Sequence, residues 1–324
     1  MSKRVLITGA GGFVGQRLIP YLLTKEYSVI AAIRNANSPQ ASTTSEKINT
    51  VVFPDISEST DWQPTLQGVD CIVHLMARVH VMNETEKDPL RAFRKHNVES
   101  TMNLLKQAEA CGVKRFLYVS SIKVNGEATN ERPYTADDTP APEDLYAHSK
   151  YEAEKALLDF SKSHNIEVVI LRPPLMYGPG VKGNFRRLMK LVMTGLPLPF
   201  GSFKNKRSLL FVDNFISLIE VCLSHESAPQ KIFLASDDHD LSTAELIALI
   251  GKSLSKSPHL IPFPVPFLTW AATLIGKSQE ISRLSGSLQM NISSTKETLQ
   301  WTPPFSVEQG LETTANWYLK NHTK

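Results

Sequence analysis

The chain has 324 residues, 42% of them hydrophobic, enough for one large α/β domain with a smaller lobe. A net charge of +3 without any dense Lys/Arg block argues against a nucleic-acid surface and suits an anionic small molecule. Cys71, Cys111 and Cys222 have no C-x-x-C spacing and leave one thiol over in any pairing, so they read as reduced cysteines of a cytoplasmic protein, with no metal site. The apolar run after Lys3 and Arg4 is too short for a signal-peptide core.

From Val5 to Leu171, short β-rich apolar runs alternate with longer helical patterns, the signature of βαβ units around a parallel sheet. The first run, Val5-Leu6-Ile7, ends in Gly9-Ala10-Gly11-Gly12-Phe13-Val14-Gly15. Its three spaced glycines permit a sharp turn, a close approach to a ligand and a helix packed on the strand. A helix N-terminus at such a turn suits the pyrophosphate of a dinucleotide, although the spacing is G-x-x-G-x-x-G rather than G-x-G-x-x-G. The helix Phe13 to Lys25 leads to a second strand, Ser28 to Ile33, with Arg34 at its end. An acid there would hydrogen-bond the ribose 2′-hydroxyl of NAD, whereas Arg34 pairs with a 2′-phosphate, so NADP(H) is favoured over NAD(H).

Thr50 to Phe53 reads as the third strand, followed by Asp55-Ile56, where the Asp is either a turn former or a carboxylate in reach of the adenine amino group. The fourth strand, Asp70 to His74, ends in Leu75-Met76-Ala77 at the carboxyl edge of the sheet, with His74 itself a packing residue. One long helix is expected over Asp88 to Cys111. Asn97 in its middle has poor helix propensity, so its side chain is either bonded to nearby backbone or exposed. Lys114 to Val119 delivers Ser120 and Ser121 to the same sheet edge.

After a turn region from Ala128 to Glu143, Tyr146-Ala-His-Ser-Lys150 sets a phenol and an ammonium at i and i+4 on one helical face. The neighbouring cation is expected to stabilise the phenolate. A pKa lowering of about 3 from the usual 10 corresponds to about 4 kcal/mol. With Ser121 hydrogen-bonding the same substrate oxygen, Tyr146 exchanges the proton while hydride moves between carbon and a nicotinamide.

These residues resemble the extended short-chain dehydrogenase/reductases, in their nucleotide-sugar epimerase/dehydratase/reductase branch. The likeness spans nearly the whole chain: the glycine turn, Asp55-Ile56, His74 to Ala77, Asn97-Val-Glu-Ser-Thr101, Ser120 to Gly126, Tyr146-x-x-x-Lys150 and Arg172 to Gly180. It implies a Rossmann-like doubly wound parallel sheet over residues 1–180, with 207–238 returning to it. Residues 181–206 and 239–324 would form a smaller, discontinuous C-terminal substrate-binding lobe. Ser121 and Tyr146 would handle the proton, and Lys150 would hold the nicotinamide ribose and tune Tyr146. Pro173 to Leu175 would pass the nicotinamide ring. The cofactor would meet Gly9, Gly12, Phe13, Val14, Gly15, Arg34, Asp55, Ile56, Leu75, Met76, Ala77 and Asn97. Asn184, Arg207 and Arg283 would grip a nucleotide diphosphate, and Lys123 would contact the substrate or lie exposed at the surface. A homodimer through two helices of the main domain is also implied.

Two positions depart from the pattern: Asn125 stands where many relatives carry Tyr, and Met76 replaces Ala. Dehydratases place an acidic pair after the hydroxyl residue, but Ile122-Lys123 follows Ser121, which argues against water elimination. The expected activity is NADPH-dependent reduction of the 4-keto group of a UDP- or dTDP-linked sugar, favoured by Arg34 and Asn125. The alternative is an NAD-dependent nucleotide-sugar 4-epimerase. A cofactor-sensing regulator is disfavoured because Tyr146 and Lys150 are both present. Leu260 to Gly276 is the one long apolar segment; Pro262, Pro264 and Pro266 break it, and Phe267 to Ile275 is too short to span a membrane. It reads as a buried or partner-facing helix, with interfacial membrane contact as the alternative.

Overall fold

The apolar runs of the first half become strands of one sheet: β1 (Arg4–Thr8), β2 (Ser28–Ile33), β3 (Ile48–Val52), β4 (Cys71–His74) and β5 (Arg115–Val119). β6 (Glu167–Arg172) extends it. β7 (Leu175–Tyr177) and β8 (Leu209–Phe211) then pair with each other, and β9 (Lys231–Leu234) returns to the main sheet beside β6. All pairs are parallel and the order is β3-β2-β1-β4-β5-β6-β9. The structure is a computed structural model and describes residues 2–35, 47–79, 88–274, 282 and 284–322.

Helices cover both faces, which is why the strands read as continuous apolar runs rather than alternating ones. Leu6, Ile72, Phe116 and Ile170 face Leu66, Leu104 and Leu157. These belong to α2 (Gln63–Leu66), α4 (Ser100–Ala110) and α5 (Leu145–Ser161), which follow α1 (Gly15–Thr24) and α3 (Pro89–Arg94) as numbered along the chain. On the other face Ile7, Val73, Leu117 and Leu171 pack in one core with Leu18 and Leu22 of α1. The same core takes Phe185 from α6 (Gly183–Met193) and Phe215 and Ile219 from α7 (Val212–Ser224). Arg17 of α1 clamps Asp213 of α7 through Nε at 2.7 Å and Nη2 at 2.6 Å. The chain leaves β1 for β2 on one side and comes back to β4 on the other, so a crevice opens where their carboxyl ends diverge.

The helix expected over Asp88 to Cys111 contains a π-helical turn, Lys95–Glu99, between α3 and α4. The wider turn carries Asn97 inward to 1% exposure, where its side chain is fully used.

The remainder comprises α8 (Thr243–Ser253), α9 (Val265–Leu274), α10 (Ser293–Leu299) and α11 (Val307–His322). Ser242 and Glu245 form a reciprocal capping box on α8, as S-T-A-E predicts. Arg207 exchanges backbone bonds with Leu241, and Ser208 donates to Leu288, so the segment before β8 lies between two later stretches. Thr129 and Tyr134 donate to Ser287 and Gln289, tying the 128–143 turn region to the same stretch. Of the buried or partner-facing helix expected in the Leu260 to Gly276 segment, the burial is corrected: on α9, Phe267 is 63% and Trp270 62% exposed, while Val265 and Leu268 pack on the core. No described helix is long and apolar enough to cross a membrane.

Candidate active site

The glycine turn sits where β1 and β4 diverge. Gly9 has φ +68°, and a Cβ there would stand 3.1 Å from the Met76 nitrogen, so only glycine lets the turn lie against the β4 exit. A Cβ on Gly15 would come within 2.6 Å of the Ala10 carbonyl oxygen, closing the start of α1 to any larger residue. Among the described residues, α1 has neither a side-chain cap nor an acid in its first turn. Its N-terminal partial positive charge is therefore offered at the crevice, a ready anion site. Phe13 and Val14 form the rim of this turn; Leu75, Met76 and Ala77 are half-buried alongside, Ile56 is buried and Asp55 exposed.

β5 delivers Ser120 and Ser121 to the same edge. Ser121 is half-buried and caps a 3₁₀ turn, Ile122–Val124, its Oγ accepting from the Lys123 N–H at 3.3 Å. α5 begins opposite because Asp144 accepts from the Ala147 N–H at 2.7 Å, which fixes Tyr146 in the first turn. Asn97 then secures this end of the helix. Its Nδ2 donates to Ser149 Oγ at 2.9 Å and to the Arg78 carbonyl at 3.0 Å, its Oδ1 accepts from the Arg78 N–H at 2.7 Å, and Ser149 Oγ donates to the Tyr146 carbonyl. Asn97 is therefore bonded rather than exposed, but to Arg78 and Ser149, remote in sequence, and not to nearby backbone.

Tyr146 and Lys150 share a face, yet no hydrogen bond joins them in the protein alone. Lys150 Nζ lies 4.1 Å from the centre of the Tyr118 ring. Burial lowers the Lys150 pKa to about 7, with Glu154 opposing the shift. Burial and the Asp144 carboxylate raise that of Tyr146. The expected lowering of the phenol is thus absent here: the ammonium is stripped of water beneath an aromatic face, and the charge that acts on the phenol is the Asp144 carboxylate. Two buried hydroxyls, Tyr118 Oη and Ser120 Oγ, have no hydrogen-bond partner.

Below them lies a polar layer built on Arg172 and Glu154, neither of them an expected site residue. Arg172, at the end of β6, holds Glu154 of α5 through Nε at 3.0 Å and Nη2 at 2.5 Å, and its Nη1 donates to Asn125 Oδ1 at 2.9 Å. Asn125 Nδ2 donates in turn to the Thr135 carbonyl. His74 bonds Thr8 at 2.9 Å and Thr101 at 3.1 Å and stacks on Tyr118; burial and the Lys150 charge push its pKa down to about 3. The signal for Glu154 was present. The buried stripe Ala147, Lys150, Glu154, Leu157, Ser161 has helical spacing, and two of its members are charged.

The other candidates are spread further. Pro173 is buried and Leu175 exposed at the start of β7, while Arg34 is exposed just past β2. Lys123 is spent on two carboxylates, Glu127 and Asp144, each at 2.6 Å. Asn184 is exposed near Arg187, and Arg207 donates to the Gly286 carbonyl at 3.0 Å. Arg283 lies outside the described residues.

A crevice at a strand-order reversal, a glycine turn against it and a Ser-Tyr-Lys set on its rim define a dinucleotide-dependent enzyme of the short-chain dehydrogenase/reductase type. A profile of the NAD dependent epimerase/dehydratase family matches residues 5–235. A UDP-glucose 4-epimerase of Vibrio cholerae is 44% identical over 100% of this chain and 98% of its own. An N-acetyl-alpha-D-glucosaminyl-diphospho-ditrans,octacis-undecaprenol 4-epimerase of Escherichia coli O157:H7 is 26% identical over 98% of this chain and 96% of its own. The crystal structure of a Bacillus cereus UDP-glucuronic acid 4-epimerase in complex with NAD has the same fold, with a TM-score of 0.78 at 22% identity, covering 99% of this chain and 98% of that one. The chain belongs to the NAD-dependent epimerase/dehydratase family, and within it to the nucleotide-sugar branch.

Proposed function

We propose that the protein is a nucleotide-sugar 4-epimerase acting on a UDP-hexose with bound NAD. The observation that carries this reading is its full-length likeness to the Vibrio cholerae UDP-glucose 4-epimerase, together with Ser121, Tyr146 and Lys150 at one sheet edge. The weight therefore moves from the ketoreductase expected from Arg34 and Asn125 to the epimerase alternative. Asn125 has a role independent of that choice, since it binds Arg172.

The residues fit a dinucleotide. The turn at Gly9 and Gly15 tolerates no Cβ, the α1 N-terminus has no side-chain cap, and Tyr118 and Ser120 hold buried hydroxyls that the protein leaves unbonded. Gly9 to Gly15 would hold the pyrophosphate and Lys150 the ribose next to the nicotinamide. When bound, the cofactor supplies a hydride acceptor that also returns the hydride. Tyr146 takes the proton from the sugar 4-hydroxyl as C4 loses hydride, and gives it back to the keto oxygen after the sugar has turned its other face. Ser121 Oγ donates to that oxygen and holds it within reach of the phenol.

Purified protein is denatured and the supernatant assayed for released nucleotide, while the native enzyme is given UDP-glucose or UDP-galactose. Stoichiometric NAD and interconversion of the two sugars are expected, and Tyr146→Phe abolishes turnover while retaining the nucleotide. An empty site that oxidises NADPH only when given a 4-keto nucleotide sugar overturns the epimerase reading. The ketoreductase is kept as the second reading because Arg34 is exposed at the end of β2, with no acid between it and Glu46.

A further inference from the structure

Charge is not spread evenly along this chain. Residues 181–212 contain seven Lys or Arg and residues 246–279 contain three, with no Asp or Glu in either stretch. Against a whole-chain charge of +3, these two stretches carry +10 and leave −7 to the rest. Lys182, Arg186, Arg187, Lys190, Lys204, Lys206, Lys252 and Lys256 are all exposed. None of these eight forms an ion pair among the described residues. A single diphosphate does not account for so many outward cations.

The two basic stretches meet, and where they meet the surface is apolar. Leu198 donates to the His259 carbonyl and accepts from Ile261, and Gly201 donates to Ile261, so the 196–201 segment lies along 259–261. Leu196, Ile261, Phe263, Phe267 and Trp270 are large side chains left exposed there. Phe263 meets Phe267, and Phe267 meets Trp270, edge to face with ring centroids 6.4 Å apart, so the three rings form one ladder from the prolines onto α9. A contiguous aromatic ladder on a soluble surface marks a contact site.

We propose that this face docks the protein on an anionic phospholipid bilayer, with Phe263, Phe267 and Trp270 inserted at the headgroup level and the surrounding lysines and arginines on lipid phosphates. Aromatic anchors on segments rich in cations match the interfacial region of a bilayer. Each Lys or Arg held near an anionic leaflet strengthens binding about fivefold. The excess of positive charge distinguishes this surface from an apolar interface between two copies, where the same cations would face each other. Binding here is independent of the reaction assigned above, since none of these residues belongs to the catalytic set.

The full-length protein, as purified, is sedimented with vesicles of phosphatidylcholine containing about one-third phosphatidylglycerol, and with phosphatidylcholine alone. It cosediments with the anionic vesicles, and raising the salt releases it. Phe267→Ser/Trp270→Ser lowers that partitioning by about tenfold or more while leaving turnover of a soluble substrate unchanged. Trp62 and Trp301 are buried and Trp317 half-buried, so Trp270 dominates the change in fluorescence. Emission shifts to the blue on anionic vesicles, and Trp270→Phe removes the shift but keeps the binding. Failure to cosediment with anionic vesicles, or equal partitioning of the double variant and the parent, overturns the proposal. So does a double variant of smaller assembled mass in sedimentation equilibrium, which would mean that a second copy covers the face.

Discussion

Glu154→Ala leaves the Arg172 guanidinium without a counter-charge in a place where both side chains are almost wholly buried, at 1% and 2% exposure for Arg172 and Glu154. The pair is bidentate, at 3.0 and 2.5 Å, and after the substitution Arg172 keeps only Asn125 as a side-chain acceptor. Breaking a buried pair from one side costs about 3–5 kcal/mol, because the remaining ion keeps its desolvation penalty and loses its compensation. That is a large part of a typical stability of about 5–15 kcal/mol. Removing both charges with Arg172→Met/Glu154→Leu recovers most of the loss, since well-packed apolar replacements of a buried pair are near neutral. Urea unfolding of the parent, Arg172→Met, Glu154→Leu and the double variant gives the coupling directly as a cycle, with Glu154→Ala measured beside it. A loss below about 1 kcal/mol for Glu154→Ala would mean that the pair behaves as a solvated surface bridge, and the account of the buried layer would be wrong.

Two further outcomes follow from the rim and the cofactor end. Lys150 has its pKa lowered from 10.5 to about 7, so between those values the unfolded chain binds more protons than the folded one and stability rises with pH across that window. Lys150→Met removes that slope and is the more stable protein at pH 7 when stripped of nucleotide, by up to about 5 kcal/mol, though inactive; melts from neutral to alkaline pH check it, and an unchanged slope refutes it. Arg34→Ala weakens binding of NADPH by about tenfold and spares NADH if the exposed guanidinium meets a 2′-phosphate; equal losses for both, by fluorescence titration, remove Arg34 from that role.

The sheet was legible because burial on both faces left its strands as apolar runs, and β1 with its glycines announced the crevice before any side-chain geometry was known. Ser121, Tyr146 and Lys150 were legible for a similar reason: a strand exit and an i, i+4 pair are local patterns. The charge state of the pair was not. Spacing places an ammonium near a phenol, but whether it meets the ring of Tyr118 or the phenol oxygen depends on β5 packing under α5, a contact between residues far apart in sequence. The π turn at Lys95–Glu99 was hidden likewise, because Asn97 is drawn inward by Arg78 and Ser149, both remote from it. For α9 the apolar composition spoke for burial. Three prolines in five residues keep its entry extended, and the rings that follow remain outside the core.

The floor of the site sorts its ionisable groups by one rule, that a buried charge is either paired or absent. Arg172 and Glu154 are paired, each occupying the other's hydrogen-bonding groups. His74 sits between two threonine hydroxyls and beside Lys150, and is held neutral, since an imidazolium there would add a second unpaired cation in a place water does not reach. Lys150 is near its midpoint at pH 7, and Tyr146 is held as the neutral phenol. The protein alone therefore stores the proton on Tyr146, in the form that protonates a keto oxygen. Withdrawing a proton from a sugar hydroxyl needs the phenolate, and the cation that stabilises it one helical turn away is Lys150, whose charged form Glu154 favours. That places Glu154, which touches neither substrate nor cofactor, in control of how readily the first proton transfer begins. Glu154→Gln, which keeps the shape but not the charge, should accordingly slow oxidation of the sugar more than the protonation that follows.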